Sequence, residues 1–352
     1  MPKKHGVAEL RDKVRGCLVG TAVGDALGMP CEMMTRSDRE QVLGKITEYR
    51  DSSARYSRGL TKGQWTDDTR LTLATAQGFT DAMRAPGGCT LAVITEKTLV
   101  RYIEAYREHK DRGFGKTTRT SLEDRMAGRN PHDGRNPVRP GNGCAMKSAI
   151  LGVYSALSFL HAPPMFSLED LSGEIGLLTH HDARSLTAGL IQALAAKMYV
   201  ISPEIDTAEF VRYLRGGAWM YEREHPELPG GSPTISDVLS KLLLLGEASD
   251  ELIADMIKTG GAAYESFPTA LAYAIKYKND FRGAVLAGAN AGGDTDTIAA
   301  MAGALVGARL GMGAIPAEWI QGLEAHDEII HIADEFFDAA FALVTVKTLK
   351  GP

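Results

Sequence analysis

NAGGDTDTIAAMAGALVGARLG, residues 290–311, is the stretch on which the fold reading turns. Its first half sets Gly292, Gly293, Asp294, Thr295, Asp296 and Thr297 against an apolar run over 298–310, the pattern of a helix N-terminus. In its second half Gly303, Gly307 and Gly311 recur every fourth residue, with Ala300, Ala304 and Ala308 beside them. Residues four apart share a helix face. Each glycine costs a helix about 1 kcal/mol relative to alanine, so a face of this kind implies a neighbour packed very close. The same spacing occurs at the other end of the chain, where Gly16, Gly20, Gly24 and Gly28 accompany the helical run over 10–27. The two small-residue faces are expected to pack on each other, which would carry Asp25 and Glu32, at the end of the first helix, toward Asp294 and Asp296.

A second acid-and-hydroxyl string, Thr66, Asp67, Asp68 and Thr69, precedes another apolar run at 71–76. Alone, either string reads as ordinary helix-start chemistry, since threonine is a good N-cap and acids suit a first turn. Together they put four carboxylates at helix N-termini. The helix dipole favours each by only about 0.3 to 1 kcal/mol, so four in one pocket would repel without a cation among them. Hard oxygen donors select Mg²⁺ or Mn²⁺ before Zn²⁺.

Composition narrows the class. Hydrophobic residues make up 44% of the 352 and charged residues 24%, enough apolar material for a sizeable core in an ordinary soluble balance. A formal net charge of -5 argues against a nucleic-acid-coating protein. No apolar run approaches the ~20 residues of a membrane span, and the polar start over 1–9 lacks a signal-peptide core. Cys17, Cys31, Cys89 and Cys144 form no Cys-x-x-Cys pair, which fits reduced thiols in a cytoplasmic protein and supports neither a zinc nor a redox motif.

Helical signals dominate the remainder, at 67–83, 91–108, 144–159, 168–178, 182–200, 207–221, 235–245, 250–257, 268–276 and 316–349 with a break near His326. Strand-like alternation is almost missing, so the expected fold is all-α, one compact domain over 1–352. Ser167, Leu168, Glu169 and Asp170 have the form of a capping box. Two stretches resist helical assignment, about 35–65 and 110–143; loops of that length are usually either functional or disordered, and function is the reading preferred here. Inside the second, Gly115, Lys116 and Thr117 look like the tail of a P-loop. The glycine such a loop needs is Lys110, and no strand leads in, so that reading is rejected. Gly141, Asn142 and Gly143 are a better anion cradle, leading straight into a helix. His180 follows Thr179 at another helix start, and Trp65, just before the front acids, reads as a packing anchor.

The segments 16–32 (GCLVGTAVGDALGMPCE), 65–69 (WTDDT), 141–146 (GNGCAM), Thr179 with His180, and 290–311 closely resemble the ADP-ribosylglycohydrolases, in the order found in that family. The resemblance implies a helical fold with a dinuclear metal cleft holding two Mg²⁺ or Mn²⁺ ions. It makes Thr66, Asp67, Asp68, Asp294, Asp296 and Thr297 the metal ligands. Gly141, Asn142, Gly143, His180 and Gly293 become substrate-binding residues, and Glu32, Asp67 and Asp296 the catalytic carboxylates. The implied reaction is hydrolysis of the N- or O-glycosidic bond joining ADP-ribose to a modified protein, nucleic acid or small molecule, with ADP-ribose as product. Arginine, serine, an acetyl ester and a base all stay open as the attached group. Glu32 and the metal-facing aspartates stay open as the proton handler. Lys147 stands where the family is expected to carry arginine. Two rivals remain: an ADP-ribose-binding protein without chemistry, and a protein that neutralises an ADP-ribosyltransferase toxin with the loops at 35–64 or 110–140.

Overall fold

Helix α1 (Val7–Gly28) passes through a 3-10 turn (Met29–Cys31) to α2 (Arg36–Val42), α3 (Asp67–Met83), α4 (Leu91–His109) and α5 (Lys116–Met126). A 3-10 stretch (Asn142–Lys147) leads into α6 (Ala149–His161), followed by α7 (Leu168–Leu177), α8 (Ala183–Ile201) and α9 (Thr207–Glu224). Then come α10 (Ile235–Leu245), α11 (Asp250–Ile257), α12 (Ala263–Lys276) and α13 (Phe281–Ala289). The last three are α14 (Thr295–Leu310), α15 (Ala317–Gly322) and α16 (His326–Lys350). This computed structural model describes residues 6–54, 57, 59–161 and 165–350. Among them the fold is all-α, and β pairing is limited to isolated bridges of Met34 with Gly293 and Gly141 with Ala262.

The two glycine faces meet. Helices α1 and α14 run antiparallel in such close contact that a Cβ on Gly16, Gly20, Gly24 or Gly28 would overlap the carbonyl oxygen of Gly307, Gly303, Ala299 or Thr295 respectively. Every residue of α14 from Thr295 to Arg309 is buried, as befits a helix apolar all round. The antiparallel arrangement sets the C-terminal end of α1 against the N-terminal end of α14, so the acid-bearing ends coincide at the centre of the molecule.

The structure departs from the sequence reading at identifiable points. The stretch 35–65 contains α2, whose start Thr35 caps by accepting from the Asp38 N–H. The stretch 110–143 contains α5, which has only a weak amphipathic pattern to announce it. Helix α13 was not anticipated; it is nine residues long and interrupted by Gly283 and Gly288, and Asp280 starts it by accepting from the Gly283 N–H. Helix α12 begins five residues before Pro268 and passes through it, because a proline near a helix start forfeits one hydrogen bond without ending the helix. The run expected from 144 is 3-10 up to Lys147 and α-helical only from Ala149. Ser167 caps α7 through the Asp170 N–H, while the reciprocal capping box forms at Thr234 and Asp237. All four cysteines are buried thiols outside any disulfide.

Of the two long stretches, the first acts as a belt. Tyr49 donates its hydroxyl to the Trp319 carbonyl, the Ile46 N–H is accepted by Asn290 Oδ1, and Gly63 O accepts from the Glu324 N–H. Trp65 at its end is buried as expected, donating Nε1–H to Glu324 O beneath the Arg70 guanidinium, 4.4 Å above the ring.

Candidate metal and substrate site

Thr66 is the N-cap of α3, yet its own hydroxyl does not cap the helix. Asp25, on the last turn of α1, does so instead. Its two oxygens accept the Thr66 and Thr69 N–H groups and both threonine hydroxyls, at 2.6–3.0 Å. A carboxylate in a last helical turn opposes the dipole of its own helix. Here the N-terminus of α3 compensates, and the exchange locks α3 against α1 with Asp67 near Glu32 and Asp68 near Asp296. The acid set against the dipole in the GDALG stretch is the sequence signal for this role, which assignment of the two threonine strings alone passed over.

Two groups of carboxylates close on each other. Asp25, Asp68 and Asp296 bring donor oxygens within 4.8 Å of one another, and so do Glu32, Asp294 and Asp296, with Asp296 shared. Asp68 Oδ1 and Glu32 Oε2 are buried with no hydrogen-bond partner among the described residues. Burial, reinforced by Asp294, Asp67 and Asp25, pushes the Glu32 carboxyl up to about 9. Burial and then Asp25 push Asp67 up to about 8. Asp25, despite its donors, is raised by burial to about 6, and burial lifts Asp68 and Asp296 well above the carboxylate range. Unpartnered buried oxygens beside mutually repelling carboxylates are the donor set a hard divalent cation fits.

These shifts set a pH dependence for the metal-free protein. Each group holds its proton more tightly folded than unfolded, so the stability this cluster contributes is fully present below about pH 4 and is lost as pH rises through about 6, 8 and 9 for Asp25, Asp67 and Glu32. In thermal melts with EDTA, the contribution of this cluster is expected to lower Tm between pH 5 and pH 9, and Mg²⁺ is expected to raise Tm more at pH 8 than at pH 6. A Mg²⁺ increment that shrinks with pH would contradict the cluster.

Above the acids opens a cleft of about 810 Å³. Its floor is Glu32, Asp67, Asp68, Asp294, Asp296 and Thr297; its wall carries Gly141, Asn142, Gly143 and His180, with Lys110, Lys116, Arg119 and Arg139 around them. Met33, immediately after Glu32, adopts φ 60°, a left-handed conformation rare for methionine, and it also lines the cleft. The rejected P-loop tail reaches the site by another route: Gly115, Lys116 and Thr117 form the start of α5 in the cleft wall, and the Gly115 N–H donates to Asp67 Oδ2 at 3.3 Å. Asn142 donates its amide to Asp294 Oδ2 and to Ser266 Oγ, so it also holds a floor acid in place.

Two of the expected residues lie behind the cleft rather than in it. Thr66 is fully buried, its hydroxyl donated to Asp25 Oδ1 at 2.9 Å. Gly293, at φ 74°, pairs with Met33 and Met34 through its backbone, and a Cβ there would overlap the Thr259 carbonyl oxygen. Its missing side chain leaves room for this close backbone packing against Thr259. None of the described residues of 35–65 lines the cleft.

A sequence model of the ADP-ribosylglycohydrolases matches residues 7–343. The chain belongs to the ADP-ribosylglycohydrolase family. It is 27% identical over 360 residues to ADP-ribosylhydrolase ARH3 of Homo sapiens, covering 92% of each chain. It is 27% identical to ADP-ribosylarginine hydrolase Tri1 of Serratia proteamaculans (strain 568), over 94% of this chain and 80% of that one. A solved structure described as an ADP-ribosylglycohydrolase-related protein complex superposes with a TM-score of 0.70 at 25% identity, over 95% of this chain and 99% of that one. As a member of this family the chain is a hydrolase of glycosyl bonds that reverses ADP-ribosylation. Among the described residues no helix is long and apolar enough to cross a membrane.

Proposed function

We propose that this ADP-ribosylglycohydrolase is a metal-dependent enzyme of the cytoplasm, working as a single domain. In this reading it cleaves the N- or O-glycosidic bond between ADP-ribose and a modified protein, nucleic acid or small molecule. The observation that carries the reading is the polarity of the cleft: clustered buried acids at its floor, two of their oxygens without a hydrogen-bond partner among the described residues, and Lys110, Lys116, Arg119 and Arg139 on its wall. That arrangement suits a ligand with a hydroxyl-rich sugar at one end and a diphosphate beyond it.

Asp67, Asp68, Asp294, Asp296 and Thr297, with Glu32, would hold two Mg²⁺ or Mn²⁺ ions. Ions held there would supply Lewis-acid chemistry to the sugar end of the ligand. Asp25 keeps Asp67 and Asp68 in place by capping α3. Asn142 steadies Asp294. Scission builds oxocarbenium character on the sugar and requires a proton at the leaving atom. Glu32 would handle that proton, a role supported by its lining the cleft with a carboxyl oxygen that has no hydrogen-bond partner among the described residues.

Hydrolysis measured on ADP-ribosylated arginine, serine and nucleic-acid substrates, with Mg²⁺ and with EDTA, tests the proposal; turnover insensitive to chelation would overturn the metal reading. For Glu32→Gln the expected outcome is a folded protein that keeps most of its affinity for ADP-ribose and loses at least ~100-fold in turnover. Calorimetry beside single-turnover hydrolysis separates the two quantities. Normal turnover in that variant would transfer the proton-handling role to the aspartates.

A further inference from the structure

We propose that Lys147 is a positioning residue: acting through Thr179, it fixes His180 as the Nε2–H tautomer and so aims an N–H donor into the cleft. The inference rests on the proposed function in one respect, that the acceptor met there is an oxygen of the ADP-ribose moiety.

The argument begins with where Lys147 goes. It stands one turn beyond Gly143, and its side chain is buried under the face of Tyr102, with Nζ 5.4 Å from the ring centroid. It does not line the cleft, so it cannot replace an arginine that contacts a phosphate there. Its Nζ donates instead to Gly143 O and to Thr179 Oγ1, both at 2.7 Å. An ammonium group has donors only, so Thr179 Oγ1 is the acceptor in that bond. The threonine proton then has two acceptors within reach, His180 Nδ1 at 2.9 Å and Gly176 O at 3.5 Å. Were Nδ1–H to donate to the second lone pair of Oγ1, the threonine proton would be left with Gly176 O at 3.5 Å, well beyond the usual O–H···O length, so the proton is assigned to the 2.9 Å contact with Nδ1.

With Nδ1 accepting, the ring proton sits on Nε2. That atom faces the glycine cradle: a Cβ on Gly141 would lie 3.0 Å from it, and one on Gly143 3.1 Å. The two glycines thus leave room for the ring edge where Gly141, Gly143 and His180 together line the cleft. Burial, with Lys147 and His132 nearby, holds His180 well below the ordinary histidine range, so the ring offers an oriented dipole rather than a charge. The one lysine therefore ties the cradle, through Gly143 O, to the orientation of the histidine behind it.

The test is ¹⁵N NMR of the full chain labelled at histidine, with the His180 signals assigned by their loss in His180→Asn. The expected wild-type pattern is a pyridine-type Nδ1 and a pyrrole-type Nε2; a pyrrole-type Nδ1 overturns the proposal outright. Thr179→Val removes the relay hydroxyl and leaves Lys147 in place. It is expected to mix or reverse the tautomers and to weaken ADP-ribose binding about tenfold, the scale of one lost hydrogen bond to an anionic ligand. Lys147→Met is expected to show the same spectral change. A His180 pattern unchanged in both variants would also overturn the proposal. Failure of the wild-type protein to bind ADP-ribose would count against the functional reading, while the tautomer pattern would still decide the relay.

Discussion

Asp296→Asn is expected to reduce turnover by about 10³-fold or more while leaving the fold intact. Asp296 contributes to both carboxylate groups, so one substitution weakens both candidate cation positions. Lewis-acid stabilisation of a transition state is worth several kcal/mol, and each 1.36 kcal/mol is a factor of ten in rate. The same change has the opposite sign for the metal-free protein. Asp296 is buried beside Glu32, Asp294 and Asp68, all of which raise it, so removing the acid relieves repulsion as pH increases. At pH 8 with EDTA the variant should melt above the wild type. With Mg²⁺ the order should reverse, because only the wild type gains the stabilisation that ligand binding gives the folded state. Turnover within tenfold of wild type in a folded variant would remove Asp296 from the mechanism.

Gly20→Ala should cost about 3 kcal/mol, toward the upper end for overpacking, and Gly20→Leu more. The smallest possible side chain at this position already overlaps the Gly303 carbonyl oxygen and stands 3.1 Å from Phe281 Cε2. Backbone cannot rotate away as a flexible side chain can, so α1 and α14 would have to separate, and both are buried on all sides here, α1 from Gly16 onward and α14 from Thr295 to Arg309. Gly307 makes the reciprocal contact with Gly16 and should behave alike. Gly216 in α9 is the control, since a Cβ there meets nothing within 4 Å. Gly216→Ala should stabilise by about 0.5 to 1 kcal/mol through helix propensity alone. Urea midpoints at constant m-value measure all three. Equal effects at Gly20 and Gly216 would mean that the glycine ladder serves flexibility rather than close packing.

The helix pairing was legible because its signal is periodic: glycine every fourth residue is costly in a helix, and one explanation covers both runs. The acid strings were legible because helix starts have their own chemistry, and the paired faces of α1 and α14 account for the approach of Glu32 to the back string. Helices α2, α5 and α13 were not, since α2 and α13 have only seven and nine residues and α5 has little amphipathic pattern, and short helices form under tertiary contacts rather than by propensity.

The sequence by itself therefore determined the all-α class, the α1 and α14 pairing and the approach of Glu32 to Asp294 and Asp296, which follow from local periodicity, and it marked Asp67 and Asp68 as acids of the same site by residue type. Only the tertiary structure decided that Asp25 caps another helix, that Gly293 and Thr66 stand behind the cleft, that Lys116 and its neighbours wall it, and that Lys147 braces His180. Each of those depends on which way a side chain points after distant segments have packed. Direction at that scale is set by steric and hydrogen-bond partners far away in the chain, and spacing along the sequence does not encode it.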